Sequence, residues 1–352
     1  MKLLVYGGCH ALIIKRMIDE LGPDGRHEVD LLINFELVGS GKPFPYETLK
    51  SYDAVVYSPV ENKGTYNTVH LDEACAAAGV QAVRFPWLEW HGYAPGADKD
   101  VFWSHRGWFF PGLIELAARQ PSFDAFARAV RQDFPGDEGI ASSFAYTTAK
   151  LTQQEERVGC EIRVSDFILD GFRDRRMFLI PDHPSLHLYR HVFEQMERLL
   201  GASLIASWPA DLPEPQPEAR TPILPRVAAA ARLAFQDTTW RCDAQPMRTM
   251  GLDAFLALHF ELGQARADAG ERPGELALAT AVRGTCLSST EREPTRSGWL
   301  PLSAFTQLLL RRGGAAPRGY FQAEILSPIA AEMSDRLTGR HLFREGDWLC
   351  RS

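Results

Sequence analysis

The chain predicts an α/β fold, a mostly parallel sheet flanked by helices, with a largely helical carboxyl-terminal part. Three observations carry that expectation. Short apolar runs alternate with helical spacing through residues 1–100. The runs end in turn-forming residues, and a proline-rich segment then separates this half from a stretch whose apolar spacing is helical. Alternation of this kind is the signature of strand–helix–strand units.

The first strand is expected at Leu3–Tyr6, running into Gly7 and Gly8. Ala11, Ile14, Ile18 and Leu21 then recur at helical spacing, so a helix is expected over His10–Leu21, stopped by Gly22. Further strands are expected at Val29–Ile33, Ala54–Tyr57 and Gln81–Arg84, with a helix at Thr68–Ala78 closed by Gly79. The pattern is that of flavodoxin-like and SGNH-like sheets, in which ligands collect at the carboxyl ends of the strands. Cys9 and Tyr57-Ser58-Pro59 both fall at such ends and should be neighbours.

Residues Trp87 to Phe110 are dense in aromatics, among them Trp90, His91, Tyr93, Phe102, Trp103, Trp108 and Phe109. They read as a long loop that packs on the core, with one or two members facing a ligand. Helices follow near Leu113–Arg119 and Phe123–Phe134. Asp182-His183-Pro184 precedes an apolar stripe of Tyr189, Val192, Phe193, Met196, Leu199 and Leu200 that ends at Gly201. Pro184 suits the first helical position, which puts Asp182 or His183 at the cap.

Six prolines between Pro209 and Pro225 read as a linker. The expected organisation is an α/β catalytic domain over 1–208, a linker over 209–225 and a mainly helical domain over 226–352. In that last part, Arg226–Phe235, Leu252–Ala267, Leu302–Leu310 and Leu326–Leu337 look helical, with a strand at Tyr320–Ile325.

Composition bounds the function. A chain of 352 residues with 45% hydrophobic and 24% charged residues is an ordinary globular protein. A net charge of −7 and the lack of a dense Lys/Arg cluster argue against nucleic acid. The six cysteines, Cys9, Cys75, Cys160, Cys242, Cys286 and Cys350, show no paired spacing, so neither a disulfide framework nor a zinc ribbon is expected. The apolar run before Gly7 is too short for a signal peptide, and no stretch reaches the length of a membrane span. A cytoplasmic protein with reduced thiols and no metal is the expectation.

Cys9 is the sharpest candidate. A thiol where a strand turns into a helix meets unpaired backbone N–H groups and the positive dipole end, which favour the thiolate. The alternative is a buried structural cysteine. His183, placed at a helix start, would be held neutral and able to act as a general base; otherwise it only caps its helix. A Cys–His pair at one rim of a sheet is an acyl-transfer arrangement, with the Gly7 and Gly8 amides as oxyanion donors. His10 either orients the thiol or points into solvent, and Ser58 is either an oxyanion donor or a turn residue.

His183, His187 and His191 share a helical face, but a metal reading lacks a further ligand, and surface histidines are the simpler reading. Gly39-Ser40-Gly41-Lys42 lacks the phosphate-loop spacing and is followed by Pro43, although Lys42 retains a phosphate-binding reading. Glu155, Glu156, Asp166, Asp170 and Asp174 read as solvated surface, with Asp166 a candidate third group behind His183.

These segments together carry a resemblance. Tyr6-Gly7-Gly8-Cys9-His10, Asp53 to Pro59, Phe85-Pro86-Trp87, His91-Gly92-Tyr93-Ala94-Pro95, Val164 to Ile168, Arg176-Met177-Phe178 and His183-Pro184-Ser185 resemble, in order and spacing, the WcbI-like family of polysaccharide-biosynthesis acetyltransferases. The resemblance covers about residues 1–205. It implies coenzyme A as acyl donor and transfer to a hydroxyl or amine of a glycan or specialised metabolite. In that reading Cys9, His183, Asp182 and His10 are catalytic, and Gly7, Gly8, Ser58, Lys42, His91, Gly92 and Tyr93 hold the donor. The family opening reads Gly-Asn-Cys-Gln, so Gly8 and His10 depart from it on both sides of the thiol, and Asp182 stands where the family carries Asn. The rival readings are a cysteine-dependent esterase or thioesterase and a non-enzymatic scaffold that binds coenzyme A or a nucleotide. The small-molecule donor and acceptor are the expected partners, and a homo-oligomer is open.

Overall fold

The computed structural model describes residues 1–61, 63–99, 108–242, 248–268, 299–300, 343–344 and 348–350. The elements run β1 (Lys2–Gly7), α1 (Cys9–Leu21), β2 (Glu28–Ile33), α2 (Asn34–Ser40), β3 (Ala54–Tyr57), α3 (Val69–Ala78), β4 (Gln81–Arg84), β5 (Asp98–Lys99), β6 (Trp108–Phe109), α4 (Pro111–Ala117), α5 (Phe123–Asp133), α6 (Asp137–Arg157), α7 (Ser165–Gly171), β7 (Phe178–Ile180), β8 (His183–Pro184), α8 (Leu186–Leu200), α9 (Pro225–Ala231), β9 (Trp240–Cys242), β10 (Arg248–Met250) and α10 (Leu252–Asp268). Short strands β11 (Trp299–Leu300), β12 (Phe343–Arg344) and β13 (Trp348–Cys350) follow.

The chain divides into two compact units built from interleaved segments. Unit 1 takes residues 1–89, 151–171 and 183–216; unit 2 takes 90–150, 172–182 and 217–352. The last boundary between them, at residues 216/217, falls within the proline-rich segment 209–225.

Unit 1 holds the α/β sheet, four parallel strands in the order β2-β1-β3-β4. The four expected strands fall where the apolar runs placed them, because Leu3, Val5, Val55 and Val56 are wholly buried, as the inner strands of a sheet covered on both faces must be. Tyr6 and Tyr57 pack on one face with Leu37, Phe44, Leu49, Leu71 and Cys75, residues that α2, α3 and their connections supply. The strand order reverses between β1 and β3. The chain leaves β1 towards β2 and returns past it to β3, so the carboxyl ends of β1 and β3 form the topological switch point of the sheet.

Helix α1, about 20 Å long, returns along the full height of the sheet. Its last turn, at the amino edge, accepts the Ala206 amide on Leu21 O at 2.8 Å. Gln81, at the amino end of β4, donates to Leu199 O at 2.9 Å in the last turn of α8. Both helices therefore end at the amino edge of the sheet and begin towards its carboxyl edge.

The proline-rich run is packed rather than free through its first half. Trp208 lies against Phe193, Arg190 stands over the Trp208 ring and bonds Pro209 O, and Glu214 accepts the Leu186 amide at 2.6 Å. Arg16 of α1 donates to Pro215 O. Extended proline backbone has unspent carbonyls, and here helices on either side use them.

Unit 2 contains the aromatic loop. Trp90, Tyr93, Trp108, Phe109 and Phe110 are buried, as core packing requires; Phe102 and Trp103 lie outside the described residues. Trp90 is ringed by Tyr93, Phe144, Phe172 and Phe178 and donates to Thr148 Oγ1 at 3.1 Å. Arg176 is partly buried, pairs with Asp237 and donates to Phe178 O, Leu179 O and Thr221 O. Beyond residue 226 the described residues form α9, α10 and five short strands; the helices expected at 302–310 and 326–337 and the strand at 320–325 lie outside them.

Candidate functional site

The carboxyl edge of unit 1 is built from three chain turns. β1 ends at Gly7, Gly8 takes the cap position of α1, and Cys9 is the first helical residue. Gly8 has no side chain to accept the first-turn amides, which turn back only as far as Gly8 O, taken by Ala11 and Leu12 at 3.1 and 3.3 Å. A sulfur here sits at the positive end of the helix dipole. Of Cys9, Cys75, Cys160 and Cys242, Cys9 alone is partly exposed. Burial pushes the Cys75 thiol up to about 11 and Cys160 up to about 12, which leaves those two as inert core residues.

Ser58 follows β3 and donates its amide to Tyr6 O at 3.1 Å, which sets it beside Gly7 as the sheet order predicts. A Cβ on Gly7 would lie 3.5 Å from the Ser58 Cβ. Ser58 is only 2% exposed, and its hydroxyl has no hydrogen-bond partner. A buried orphan hydroxyl costs stability, so its place at the switch point marks it for a ligand.

Two residues flank Gly8. Asn34, the first residue of α2, sets its carboxamide oxygen 3.6 Å from the point a Gly8 Cβ would occupy, and the Trp87 ring comes within 2.9 Å of the same point. Trp87 in turn packs on His10 at 4.4 Å between ring centroids and donates Nε1 to Glu89 at 3.1 Å. His10 is wholly buried, which removes the solvent-facing alternative. The two departures beside the thiol are thus physically linked: an absent Cβ at position 8 admits the indole, and the imidazole at position 10 stacks against it.

The structure corrects the placement of His183. It lies in β8, and the cap of α8 is Ser185, whose Oγ accepts the Leu188 amide at 3.5 Å. Pro184 cannot open the helix because its backbone remains extended, so neither Asp182 nor His183 caps it. Asp182 is buried, the last residue of its unit 2 segment. His183 belongs to unit 1 with Cys9. Its Nε2 lies 3.2 Å from the Gln216 side chain, and the adjoining Pro215 is bonded by Arg16 of α1. Those contacts tie the segment that faces His183 to α1 at Arg16.

Other candidates lie elsewhere. Gly41 closes α2 in the left-handed region (φ 65°), so the glycine-rich segment is the carboxyl end of a helix, the wrong pole for a phosphate, and Lys42 is exposed there. His91, Gly92 and Tyr93 belong to unit 2. The Tyr93 hydroxyl donates to the Phe172 and Arg175 carbonyls at 2.7 and 2.9 Å, and burial pushes its pKa up. A Cβ on Gly92 would meet the Trp90 ring, and His91 packs on Trp108. Their described contacts are those of unit 2's own packing. His191 stacks on Phe167 at 3.9 Å, with burial lowering its pKa, and His187 packs on the same ring. Among the described residues no group of three or more His, Cys, Asp or Glu is arranged to hold a metal.

Asp166 is exposed in the first turn of α7 and is not hydrogen-bonded to His183. Glu155 overturns its surface assignment: it is 1% exposed and accepts from Val164 N, Ser165 N and Ser165 Oγ at 2.6, 3.0 and 2.6 Å. Asn34 and Gln216 were invisible in the sequence, because a single amide carries no spacing signal.

Comparison with known proteins agrees with the α/β fold. The family described as polysaccharide biosynthesis enzyme WcbI matches residues 2–204. A solved structure of WcbI, described as a novel polysaccharide biosynthesis enzyme in its native form without a disulfide bond between coenzyme A and a cysteine, is similar with a TM-score of 0.59 at 20% identity. The similarity covers 79% of this chain and 98% of that one. No curated protein matches. With more than half its length matched, the chain belongs to the WcbI family of polysaccharide biosynthesis enzymes.

Proposed function

We propose that this chain is a coenzyme A-dependent acyltransferase that delivers an acyl group to a hydroxyl or amine of a glycan or a specialised metabolite. The observation that carries the reading is a partly exposed thiol on the first residue of a helix, at the switch point of a parallel sheet, beside a buried hydroxyl with nothing to bind. Ligands of such sheets collect there. The cysteine and coenzyme A named for the similar WcbI structure suggest the donor. Gly7, Gly8 and Ser58 fit a thioester, since the glycines open the backbone to close approach and the Ser58 hydroxyl supplies a donor.

A thioester donor supplies an activated acyl carbon; the rest falls to the protein. Cys9 gives its proton to His183 and takes the acyl group, and His183 passes that proton to the departing coenzyme thiolate. His183 then takes the proton of the acceptor hydroxyl as its oxygen displaces Cys9 from the acyl carbon, and returns that proton to the departing Cys9 sulfur. The Gly7–Cys9 amides and Ser58 hold the oxyanion at each stage. Trp87 and His10 wall the thiol on one side.

Thermal unfolding with acetyl-CoA and with coenzyme A, followed by intact-mass measurement, tests this. Stabilisation by either ligand together with an acetyl mass increment lost in Cys9→Ser supports it. No stabilisation by any acyl-CoA for well-folded protein overturns it. Release of acetate without acceptor, lost in the same variant, would transfer the chemistry to hydrolysis.

A further inference from the structure

We infer that Gln216 is the positioning residue of His183, its side-chain oxygen accepting a proton from imidazole Nε2 and so setting Nδ1 as the basic nitrogen. The inference rests on the acyl-transfer reading for its purpose, but not for its geometry. Gln216 lies beyond the family-matched residues and inside the segment whose composition reads as a linker.

Its placement is fixed from both sides. Glu214 accepts the Leu186 amide at the start of α8, and Arg16 of α1 holds the Pro215 carbonyl. Gln216 follows directly, is 7% exposed, and sets its amide nitrogen 3.2 Å from His183 Nε2, with its Oε1 buried and without a partner. The carboxamide oxygen and nitrogen exchange places on a half-turn of the last bond, and the imidazole tautomer follows whichever faces it.

The two orientations differ in chemistry. With the amide nitrogen donating, Nε2 keeps its lone pair, Nδ1 carries the proton, and protonating the ring breaks the bond. With the oxygen accepting, Nε2 carries the proton, Nδ1 keeps the lone pair, and the same bond survives and strengthens when the ring becomes an imidazolium. Only the second orientation lets one anchored ring accept a proton. A base held by a third group is the general form of such sites. Asp182 adjoins His183 in the chain, and Glu214 and Arg16 hold the segment that carries Gln216.

The test needs no substrate. Nitrogen NMR of imidazole-labelled protein reads the tautomer and titration of His183 directly, with Gln216→Glu and Gln216→Ala as variants. Expected are a proton on Nε2 in the native chain, loss of that preference in Gln216→Ala, and a titration midpoint raised by about one unit or more in Gln216→Glu, as a carboxylate at hydrogen-bond distance requires. A proton on Nδ1 in the native chain, or a His183 signal unmoved by both variants, overturns the inference. If Gln216→Ala fails to fold, Gln216→Glu alone decides. The tautomer result and the acetyl-CoA result are separate readouts, so either proposal can fail while the other stands.

Discussion

Replacing Gly8 by alanine is the most direct probe of the site's packing. The added methyl would lie 2.9 Å from Trp87 Cζ3 and 3.3 Å from Cη2. Carbon atoms rest at about 3.5–4.0 Å, so the indole must retreat by roughly 0.6 Å or more. Its retreat is opposed by the Nε1 bond to Glu89 and by the His10 ring behind it. Overpacking of this size costs about 1–3 kcal/mol. Alanine is also a poorer cap than glycine, which adds roughly 0.5 kcal/mol that does not involve the indole. Equilibrium urea unfolding followed by tryptophan fluorescence separates the two when run as a double-mutant cycle with Trp87→Leu. The expected result is a loss of about 2 kcal/mol in the native background, falling to the cap component alone once the indole is gone. Equal losses in both backgrounds would refute the link between Gly8 and Trp87.

His259 is wholly buried, with Nδ1 on the Phe255 carbonyl at 2.9 Å and Nε2 taking the Phe110 amide at 3.2 Å; burial drops its pKa from 6.5 to about 4. The folded value lies below the unfolded one, so the unfolded chain binds the extra proton and stability falls as pH drops from 6.5 towards 4, by about 3 kcal/mol in total. Urea midpoints at pH 7 and pH 5 check this, and His259→Phe should flatten that part of the profile. Glu155→Ala strips three buried donors of their acceptor and should cost about 3–5 kcal/mol, with Glu155→Gln recovering part of it by denaturant titration. Ser58→Ala removes an orphan hydroxyl, so it should leave stability unchanged or raised while weakening acetyl-CoA stabilisation; a loss of stability with binding intact would make Ser58 merely structural. In native protein iodoacetamide should modify Cys9 well before Cys75, Cys160 or Cys242, as peptide mapping would show.

The sheet was legible because burial on both faces forces continuous apolar runs, and Ala54–Tyr57 and Gln81–Arg84 match the observed strands residue for residue. Cys9 was legible for the same reason: strand, two glycines and an amphipathic helix leave one place for it. The start of α8 was misread because proline favours two positions, an extended residue before a helix and the first residue within it, and the sequence does not say which. Ser185 supplied the stronger cap. Glu155 looked solvated because acidic residues usually are; its burial follows from a turn at Gly159 that folds Val164 and Ser165 back onto it. Helix α6 was missed altogether, since its alanines, threonines and glutamines give a weak stripe. Tyr93 is expected among the residues that hold the donor; in the structure its hydroxyl donates to the Phe172 and Arg175 carbonyls and accepts the Met177 amide.

The proline-rich run has a practical consequence for where this chain can be shortened. The family-matched part closes at residue 204, and a cut there is the natural choice for a minimal version. Such a cut would strip the start of α8 of its acidic acceptor, leave a guanidinium on α1 without its carbonyl, and remove the amide that faces His183. The shortest autonomous piece therefore runs at least a dozen residues further, and a trimmed protein that folds yet does nothing would say little about the chemistry of the intact one.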